Sequence, residues 1–413
     1  MSPESIIARE PLLDQRQSIA GYEFFIQDGR QAWSDDADIE AVAACAAASL
    51  QDGDGRWLLG EQLVFLQATP AMLAADPPIG LRPPNTFLSL SMAELAEPAT
   101  LAGARRWRER GFGISLRDVG SLIQPDVLAA MLAERRPVLQ PVTALELDAA
   151  TPDLTRQAVL LKQAGAMRLR LVARHAQNWE QAQACLAAAL PVFAGRVYLS
   201  APPSGKKTAL SPAQSTILQL MEMVRQEADI RSLEALLKRD AALSFKLLRY
   251  INAVGFGLGT EIHSVQHAVT MLGYSTLYKW LALLLATSFN SAGAAALMQT
   301  AVVRGRFAEL LGEGLLPRSE LENLFVTGMF SLLDQLLGMP MEEILSTVHL
   351  PDSVAQALLS GDGIYGPFLA LVQACESRQG AARAQADALF LSASQVNRAH
   401  FAALVWAQGL QLQ

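Results

Sequence analysis

Residues 240–273 contain two runs in which apolar residues have the spacing of an α-helix. A glycine-rich break separates the two runs. Asp240 is a good N-cap, and the apolar residues between Leu243 and Ile251 follow at spacings that place them on one helix face. A second helix is predicted to begin at Ser264 and to stop at Gly273. The pattern therefore predicts two amphipathic helices with almost no side chain that could perform chemistry.

Length and composition favour two globular domains. The chain has 413 residues, 51% of them hydrophobic and 18% charged, which is too long for one ordinary domain and apolar enough for two cores. The net charge is −7, without a basic excess in either half, so a nucleic-acid partner is not expected. Cys45, Cys185 and Cys375 are far apart, which argues against disulfides and a zinc site and favours buried small side chains.

The sequence indicates a cytoplasmic protein without a membrane partner. Its first residues lack the basic start and apolar core of a secretion signal. The most apolar run, Trp280 to Ala286, is far shorter than the ~20 residues of a membrane helix.

A stretch rich in proline, glycine and serine between Tyr198 and Pro212 is typical of a surface linker and suggests domains at 1–204 and 205–413. The second half is helical throughout. In the first half, short β-like runs alternate with alanine-rich helical segments, which predicts a largely parallel sheet or barrel. The predicted strands are Ile19 to Ile26, Leu63 to Gln67, Thr86 to Ser91, Gly113 to Leu116, Leu145 to Leu147, Arg168 to Val172 and Val197 to Ser200.

Residues 240–273 resemble the HDOD domain, an all-helical relative of the HD phosphohydrolases, in their Leu-Leu-Arg-x-x-Asn middle and Ala-Val-x-x-Leu-Gly close. The later segment LENLFVTGMFSLLDQLLGMPMEEIL is similar to the same family. Near the start, IIAREPLLDQRQSIAGYEFFIQD resembles the EAL domain, the bacterial cyclic-di-GMP phosphodiesterase fold. These resemblances imply an α/β plus all-α protein: a TIM-like (β/α) barrel of EAL type followed by an all-helical HDOD domain.

In active relatives the EAL barrel hydrolyses a phosphodiester with divalent metals, which need several carboxylates on one face. Aligning the motifs leaves Glu23, Asp118 and Asp148 as the remaining candidate ligands. The other family positions hold substituted residues. These are Gln27 at the phosphate-contacting arginine, Gln67 at an asparagine, Ser89 at a glutamate, Arg117 at an aspartate, Glu146 at a lysine, and Arg174 and Gln177 at two glutamates.

The arginines leave two interpretations open. Arg117 and Arg174 can pair with Glu23, Asp118 or Asp148 and hold the barrel mouth together, or they can bind a phosphate of cyclic-di-GMP directly. The candidate ligand-binding residues are therefore Glu23, Arg117, Asp118, Asp148 and Arg174.

The second half has also lost its expected metal site. The His-Asp pair of HD phosphohydrolases aligns with Ser331 and Leu332, which cannot replace an imidazole and a carboxylate. His263 and His267 have i, i+4 spacing but no third ligand. We therefore expect no catalytic residue, no metal and no cofactor.

The expected function is that of a catalytically inactive bacterial signalling protein, acting by protein–protein interaction in cyclic-di-GMP-linked control of motility, biofilm or virulence. Its partner would be a kinase, response regulator or transcription factor, and the family resemblance also implies a homodimer. Two alternatives remain: a cyclic-di-GMP receptor without hydrolysis, and a residual phosphodiesterase. The candidate partner patch, which could equally be a solvated helix face, comprises Lys238, Arg239, Lys246 and Arg249.

Overall fold

In the computed structural model, contacts between residues divide the chain into two compact units. The barrel unit comprises Met1–Pro203, Ala374–Arg383 and Ser392–Asn397, and the helical unit comprises the rest. The boundary at residue 204 stays a prediction, and most of the proposed linker lies outside the described residues. Those residues are 5–27, 36–52, 57–77, 80–120, 123–164, 168–200, 211–237, 240–252, 262–289, 294–347, 350–378 and 380–410.

The barrel unit is built on a closed sheet in which consecutive strands are neighbours. The first strand is antiparallel to both the second and the eighth, and the remaining neighbours are parallel. The predicted fold class, a TIM-like barrel followed by helices, is confirmed. The strands are β1 Ile7–Asp14, β2 Ile19–Ile26, β3 Leu63–Gln67, β4 Thr86–Leu90, β5 Gly113–Val119, β6 Ala144–Asp148, β7 Arg170–Arg174 and β8 Val192–Ala194.

The strand predictions are accurate for two strands and close for four more. β2 and β3 have the predicted bounds, and the next four strands differ from the prediction by one to three residues at their ends. The prediction of a strand at Val197 to Ser200 is wrong. Val197–Leu199 is a short 3-10 helix, and the eighth strand is the preceding apolar run, which pairs with β1 and β7.

The barrel interior is filled by apolar side chains from alternate strand positions. Phe65 and Phe87 stack with their ring centroids 4.7 Å apart. At Gly21 a Cβ atom would lie 2.1 Å from the carbonyl oxygen of Leu63, so only glycine allows β2 this close to β3. Such a filled barrel is a packed core and not a channel, so functional groups collect at its mouth, where the parallel strands end.

Helices follow the strands of the barrel. Several have clear start signals, such as the capping box of Ser91 and Glu94 at the start of the third helix. The helices of this part of the chain are α1 Asp36–Ser49, α2 Pro70–Ala74, α3 Met92–Ala96, α4 Pro98–Glu109, α5 Pro125–Ala133, α6 Leu154–Gln163 and α7 Trp179–Ala187.

The remainder of the described chain is helical. These helices are α8 Pro212–Arg225, α9 Ile230–Leu237, α10 Ala241–Ile251, α11 Val265–Ala286, α12 Ala294–Gly312, α13 Arg318–Phe330, α14 Leu333–Leu337, α15 Met341–Thr347, α16 Asp352–Ser360, α17 Gly366–Ala374, α18 Ala382–Ala388 and α19 Ala393–Gly409.

The helix pair predicted from residues 240–273 is present. Asp240 caps α10 by accepting a hydrogen bond from the backbone N–H of Leu243, at 2.9 Å. Ser264 caps α11 in the same way, accepting from the N–H of His267 at 3.0 Å. Gly273 has φ 83°, which interrupts α11 where the sequence predicts its end; a further helical stretch then continues to Ala286. The glycine-rich break lies outside the described residues.

One helix in the described chain, Gln266–Ala286, is long and apolar enough to cross a membrane by length and composition, and 56% of its apolar window is buried within the protein. This is weak support for a membrane span, since core helices pass the same test. The cytoplasmic location stays a prediction. Cys185 and Cys375 are buried and Cys45 is partly buried, and burial raises the pKa of both buried thiols to about 12.

Candidate functional site

The five candidate residues of the barrel line one cleft at the carboxyl ends of the strands. Glu23 lies on β2, Arg117 and Asp118 on β5, Asp148 at the end of β6, and Arg174 at the end of β7. The cleft has a cavity volume of about 90 Å³. Strand order therefore brings together residues that are up to 151 positions apart in the sequence.

Arg174 is the centre of this cleft. Its guanidinium donates to Glu23 Oε2 at 2.8 Å and to Glu146 Oε2 at 3.0 Å, and it lies 4.9 Å above the ring of Phe65. Burial alone would lower the pKa of Arg174, but the two carboxylates outweigh it and raise that pKa. Both carboxylates are thus bound to an internal cation.

Glu146 is held on its other side by two hydroxyl groups. Ser89 and Ser115 donate to Glu146 Oε1 at 2.7 and 2.6 Å. Ser89 occupies the position where the EAL resemblance expects a metal-binding glutamate. Here it is a hydrogen-bond donor to a carboxylate that already binds Arg174. Sequence reasoning noted only that Glu146 replaces a lysine and missed its role in the charge network.

Glu23 faces a second carboxylate directly. In the antiparallel pairing of β1 and β2, Glu10 lies opposite Glu23. Burial, then the charge of Glu23, raises the pKa of Glu10. Burial would raise the pKa of Glu23 as well, but Arg174 and then Arg378 outweigh it and lower that pKa to about 2. Glu10 was not among the predicted residues.

Arg378 is the most distant residue of the cleft and had no signal in the sequence. Its Nη2 atom lies 2.5 Å from Glu23 Oε2, its Nε atom lies 3.6 Å from Glu10 Oε2, and its guanidinium is 4.1 Å from the centre of the Phe25 ring. Burial would lower the pKa of Arg378, but Glu23 and Glu10 raise it. Glu23 therefore lies between two guanidinium groups, Arg174 and Arg378.

Arg117 and Asp118 form the other side of the mouth. Arg117 donates to both oxygens of Glu94 at 3.0 and 2.8 Å, and its Nε lies 3.4 Å from Asp118 Oδ2. Asp118 has φ 65°, at an irregularity in the pairing of β5 with β6, and burial raises the pKa of its carboxyl. The Asp118 carboxylate is therefore paired with Arg117 within the mouth.

Asp148 stands apart from these pairs. Its Oδ1 atom accepts a hydrogen bond from the backbone N–H of Ala150 at 3.0 Å and lies 3.8 Å from Nδ1 of His175. His175 is exposed and has φ 61°, a left-handed conformation that the end of β7 imposes. Across the described part of the chain, no three His, Cys, Asp or Glu side chains come together as a metal-binding group.

In the helical unit, the expected His-Asp position holds a half-buried Ser331 and a buried Leu332. Leu332 is 1% exposed. The Ser331 hydroxyl donates to the carbonyl of Gly328 at 2.7 Å and accepts from Arg304 Nη1 at 2.9 Å. Nearby, burial raises the pKa of Asp334. These positions agree with the prediction that this helix is part of the core.

The predicted partner patch is only partly described. Lys246 and Arg249 are exposed on α10, next to Phe245, which is 67% exposed. The guanidinium of Arg249 lies 5.4 Å from the centre of the Tyr250 ring. Lys238 and Arg239 lie outside the described residues. His263 and His267, also predicted not to bind metal, have their ring centroids 6.4 Å apart.

Comparison with known proteins gives the following relatives. Residues 210–343 match the HDOD domain family. The chain is 22% identical over 377 residues to the uncharacterized protein YuxH of Bacillus subtilis, covering 90% of each. It is 25% identical over 376 residues to the cyclic di-GMP phosphodiesterase CdgJ of Vibrio cholerae, covering 90% of this chain and 84% of CdgJ. The EAL domain structure of Mycobacterium smegmatis DcpA covers 46% of this chain and 89% of its own, at 18% identity and a TM-score of 0.37.

Fold and comparisons together define the class of protein: a closed β/α barrel followed by a helical HDOD domain. Residues 210–343 match the HDOD domain family, and the whole chain is similar to YuxH and CdgJ, which align with it along most of its length. The barrel assignment rests on the strand topology of the chain itself.

Proposed function

We propose that this protein is a non-catalytic signalling protein in cyclic-di-GMP-linked control, which acts by binding other proteins. The observation that carries the proposal is the position of Arg174, whose guanidinium occupies the space between Glu23 and Glu146. In a phosphodiesterase of this family the carboxylate at the position of Glu23 would be needed for divalent metal ions.

The residues of the mouth do not fit such a metal. A divalent cation needs several free oxygen ligands to recover the cost of its dehydration. Here Oε2 of Glu23 is bound by two guanidinium groups and Glu146 by one, together with two hydroxyls. A metal at this place would also be repelled by the positive charges of Arg174 and Arg117. The mouth therefore lacks the free oxygen ligands that a metal-dependent hydrolysis would need.

Retained binding of cyclic-di-GMP is the second candidate, because the relative CdgJ is named a cyclic di-GMP phosphodiesterase. Two properties argue against it. The cavity of about 90 Å³ is well below the roughly 300–1,000 Å³ of ordinary ligand pockets. The charge is also unfavourable for phosphate groups, since three arginines face six acidic side chains. Those side chains are Glu10, Glu23, Glu94, Asp118, Glu146 and Asp148.

The direct test measures turnover and binding with the full-length chain. Cyclic-di-GMP is incubated with the protein and Mg²⁺ or Mn²⁺, with CdgJ as the active reference. We expect no product above the rate without enzyme, and no heat in calorimetry at micromolar ligand. Hydrolysis would refute the proposal, whereas heat without hydrolysis would favour the receptor function.

The protein-binding part of the proposal is supported by the exposed face of α10. Phe245, Lys246 and Arg249 combine an apolar group with two cations, which suits an acidic protein surface. The test compares the proteins captured by the full-length chain with those captured by a variant that carries Lys246→Glu and Arg249→Glu. We expect the variant to lose the partners that the wild type retains. Equal capture by both would show that this face is not the contact.

A further inference from the structure

A short segment from the C-terminal part of the chain lies against β1 and β2 at the barrel mouth. We call it the strap, and it consists of the described residues Ala374–Arg378 and Gly380–Arg383, which belong to the barrel unit. Its first contact is a buried ion pair, in which Arg9 Nη2 lies 3.1 Å from Glu376 Oε1 with each side chain 3% exposed. The backbone N–H of Arg9 also donates to the carbonyl of Cys375 at 2.9 Å. The strap is therefore anchored to β1.

The second contact neutralises an unfavourable pair of charges. Glu10 and Glu23 face each other across β1 and β2, and like charges at directly opposite positions destabilise a sheet. Arg378 reaches both carboxylates, and its planar guanidinium lies over the ring of Phe25. Two acids and an aromatic face together form a site that fits an arginine side chain.

The third contact is with the strap's backbone. Gln27 Nε2 donates to the carbonyl oxygens of Ala374, at 2.8 Å, and Ser377, and Gln27 Oε1 accepts from the N–H of Ala382 at 2.7 Å. A Cβ atom at Gly380 would lie 2.5 Å from the carbonyl oxygen of Ala374, so this approach requires glycine. Gln27 occupies the position of the family's phosphate-contacting arginine, and here its amide binds a peptide.

We propose that the barrel mouth is a recognition site for an arginine-bearing peptide turn, filled in cis by the strap and available in trans to a partner protein that presents the same turn. The site has the parts that peptide recognition requires: carboxylates and an aromatic ring for the guanidinium, and an amide that reads backbone groups. The strap is then an autoinhibitory contact. This inference rests on the proposed function, because it requires a mouth that no longer serves catalysis.

The test uses a labelled synthetic peptide of residues 373–384, with Cys375→Ser to prevent oxidation, and the full-length chain. A double variant, Arg378→Ala with Gly380→Ala, weakens the strap in cis. We expect the peptide to bind this variant at least 10-fold more tightly than the wild type. In the wild type the tethered strap competes at a high effective concentration, of the order of mM for short linkers.

Matched peptides test the chemistry of the site. A peptide with Arg378→Ala should bind the double variant at least 10-fold more weakly than the parent peptide. The affinity of a peptide with Arg378→Lys should lie between those of the other two peptides. An ammonium group keeps the positive charge but cannot form the planar, two-pronged hydrogen bonding of a guanidinium. Equal binding of all three peptides, or no binding to a variant whose circular dichroism matches the wild type, would overturn the proposal.

A second measurement needs no variant and so does not depend on its folding. Hydrogen exchange of the strap is followed in the wild-type chain with excess parent peptide or excess Arg378→Ala peptide. We expect faster exchange of strap amides with the parent peptide only, and no difference between the two would refute strap displacement. Neither assay contains a dinucleotide, so hydrolysis of cyclic-di-GMP would refute the proposed function without changing these readouts.

Discussion

The barrel mouth and the Ser331 region of the helical unit, which the sequence aligns with metal sites of related families, are filled in opposite ways. At the mouth, charged residues remain, and arginines bind the carboxylates that are left, as Arg174 does with Glu23 and Glu146. In the helical unit, Leu332 is 1% exposed and the position has become apolar core. The difference teaches that a cation at such a position leaves a charged cleft at the surface, whereas a leucine there becomes part of the packed core.

The largest expected effect follows from removing the central cation of the mouth. Arg174→Ala leaves the buried Glu23 and Glu146 without their shared partner, and breaking a buried pair in this way costs about 3–5 kcal/mol. Urea unfolding followed by circular dichroism measures the loss. The control is Arg136→Ala, which breaks an exposed pair with Glu134 and should cost below about 1 kcal/mol. Equal losses would mean that the mouth is as well solvated as the surface.

The second effect tests the apolar nature of the helical site. Leu332→Ala removes a buried side chain and should lower the free energy of unfolding by about 2–5 kcal/mol. Leu315→Ala, at a side chain that is 48% exposed, is the matched control and should cost much less. If the two substitutions had the same effect in urea unfolding, the Ser331 region would be open to solvent and the contrast with the barrel would fail.

The third effect is a pH dependence that belongs to the barrel alone. The pKa of Glu23 is about 2 in the folded protein and 4.5 without its partners, so the unfolded state binds more protons between these values. The stability supplied by Glu23 is present above pH 4.5 and is lost as the pH falls towards 2. Glu23→Gln should flatten this part of a thermal unfolding profile. Glu134→Gln, at an exposed carboxylate, serves as the control. An unchanged slope in Glu23→Gln would contradict the ion pairing.

The smallest expected effect concerns the surface of α10. Lys246→Ala and Arg249→Ala change exposed side chains and should each alter the free energy of unfolding by less than about 0.5 kcal/mol. Urea unfolding of each variant beside the wild type checks this. A loss similar to that of Leu332→Ala would place these residues in the fold rather than in a partner contact.

Much of the fold could be predicted from the sequence, because local signals determine it. The caps at Asp240 and Ser264 and the strands β2 and β3 are set by residues close together in the chain. The sequence prediction placed the eighth strand at the wrong position, because two apolar runs follow each other there. Only the pairing with β1 and β7 shows which run is the strand.

The candidate site was only half predictable. Glu23 and Arg174 come from motif positions at strand ends, and the barrel brings them within 2.8 Å. Glu10 was not predicted, because its position opposite Glu23 depends on the register of the antiparallel strands β1 and β2. Arg378 could not be found at all, since no pattern in a single sequence links it to a strand 355 residues earlier.

The barrel unit is discontinuous in the chain, and this determines the order in which it can be completed. Residues 204–373 lie between its eighth strand and the strap. During synthesis the amino-terminal part of a protein emerges from the ribosome first and begins to fold there. Arg174 is therefore the first arginine available to the facing carboxylates Glu10 and Glu23, and Arg378 joins it only after nearly the whole helical unit has been translated.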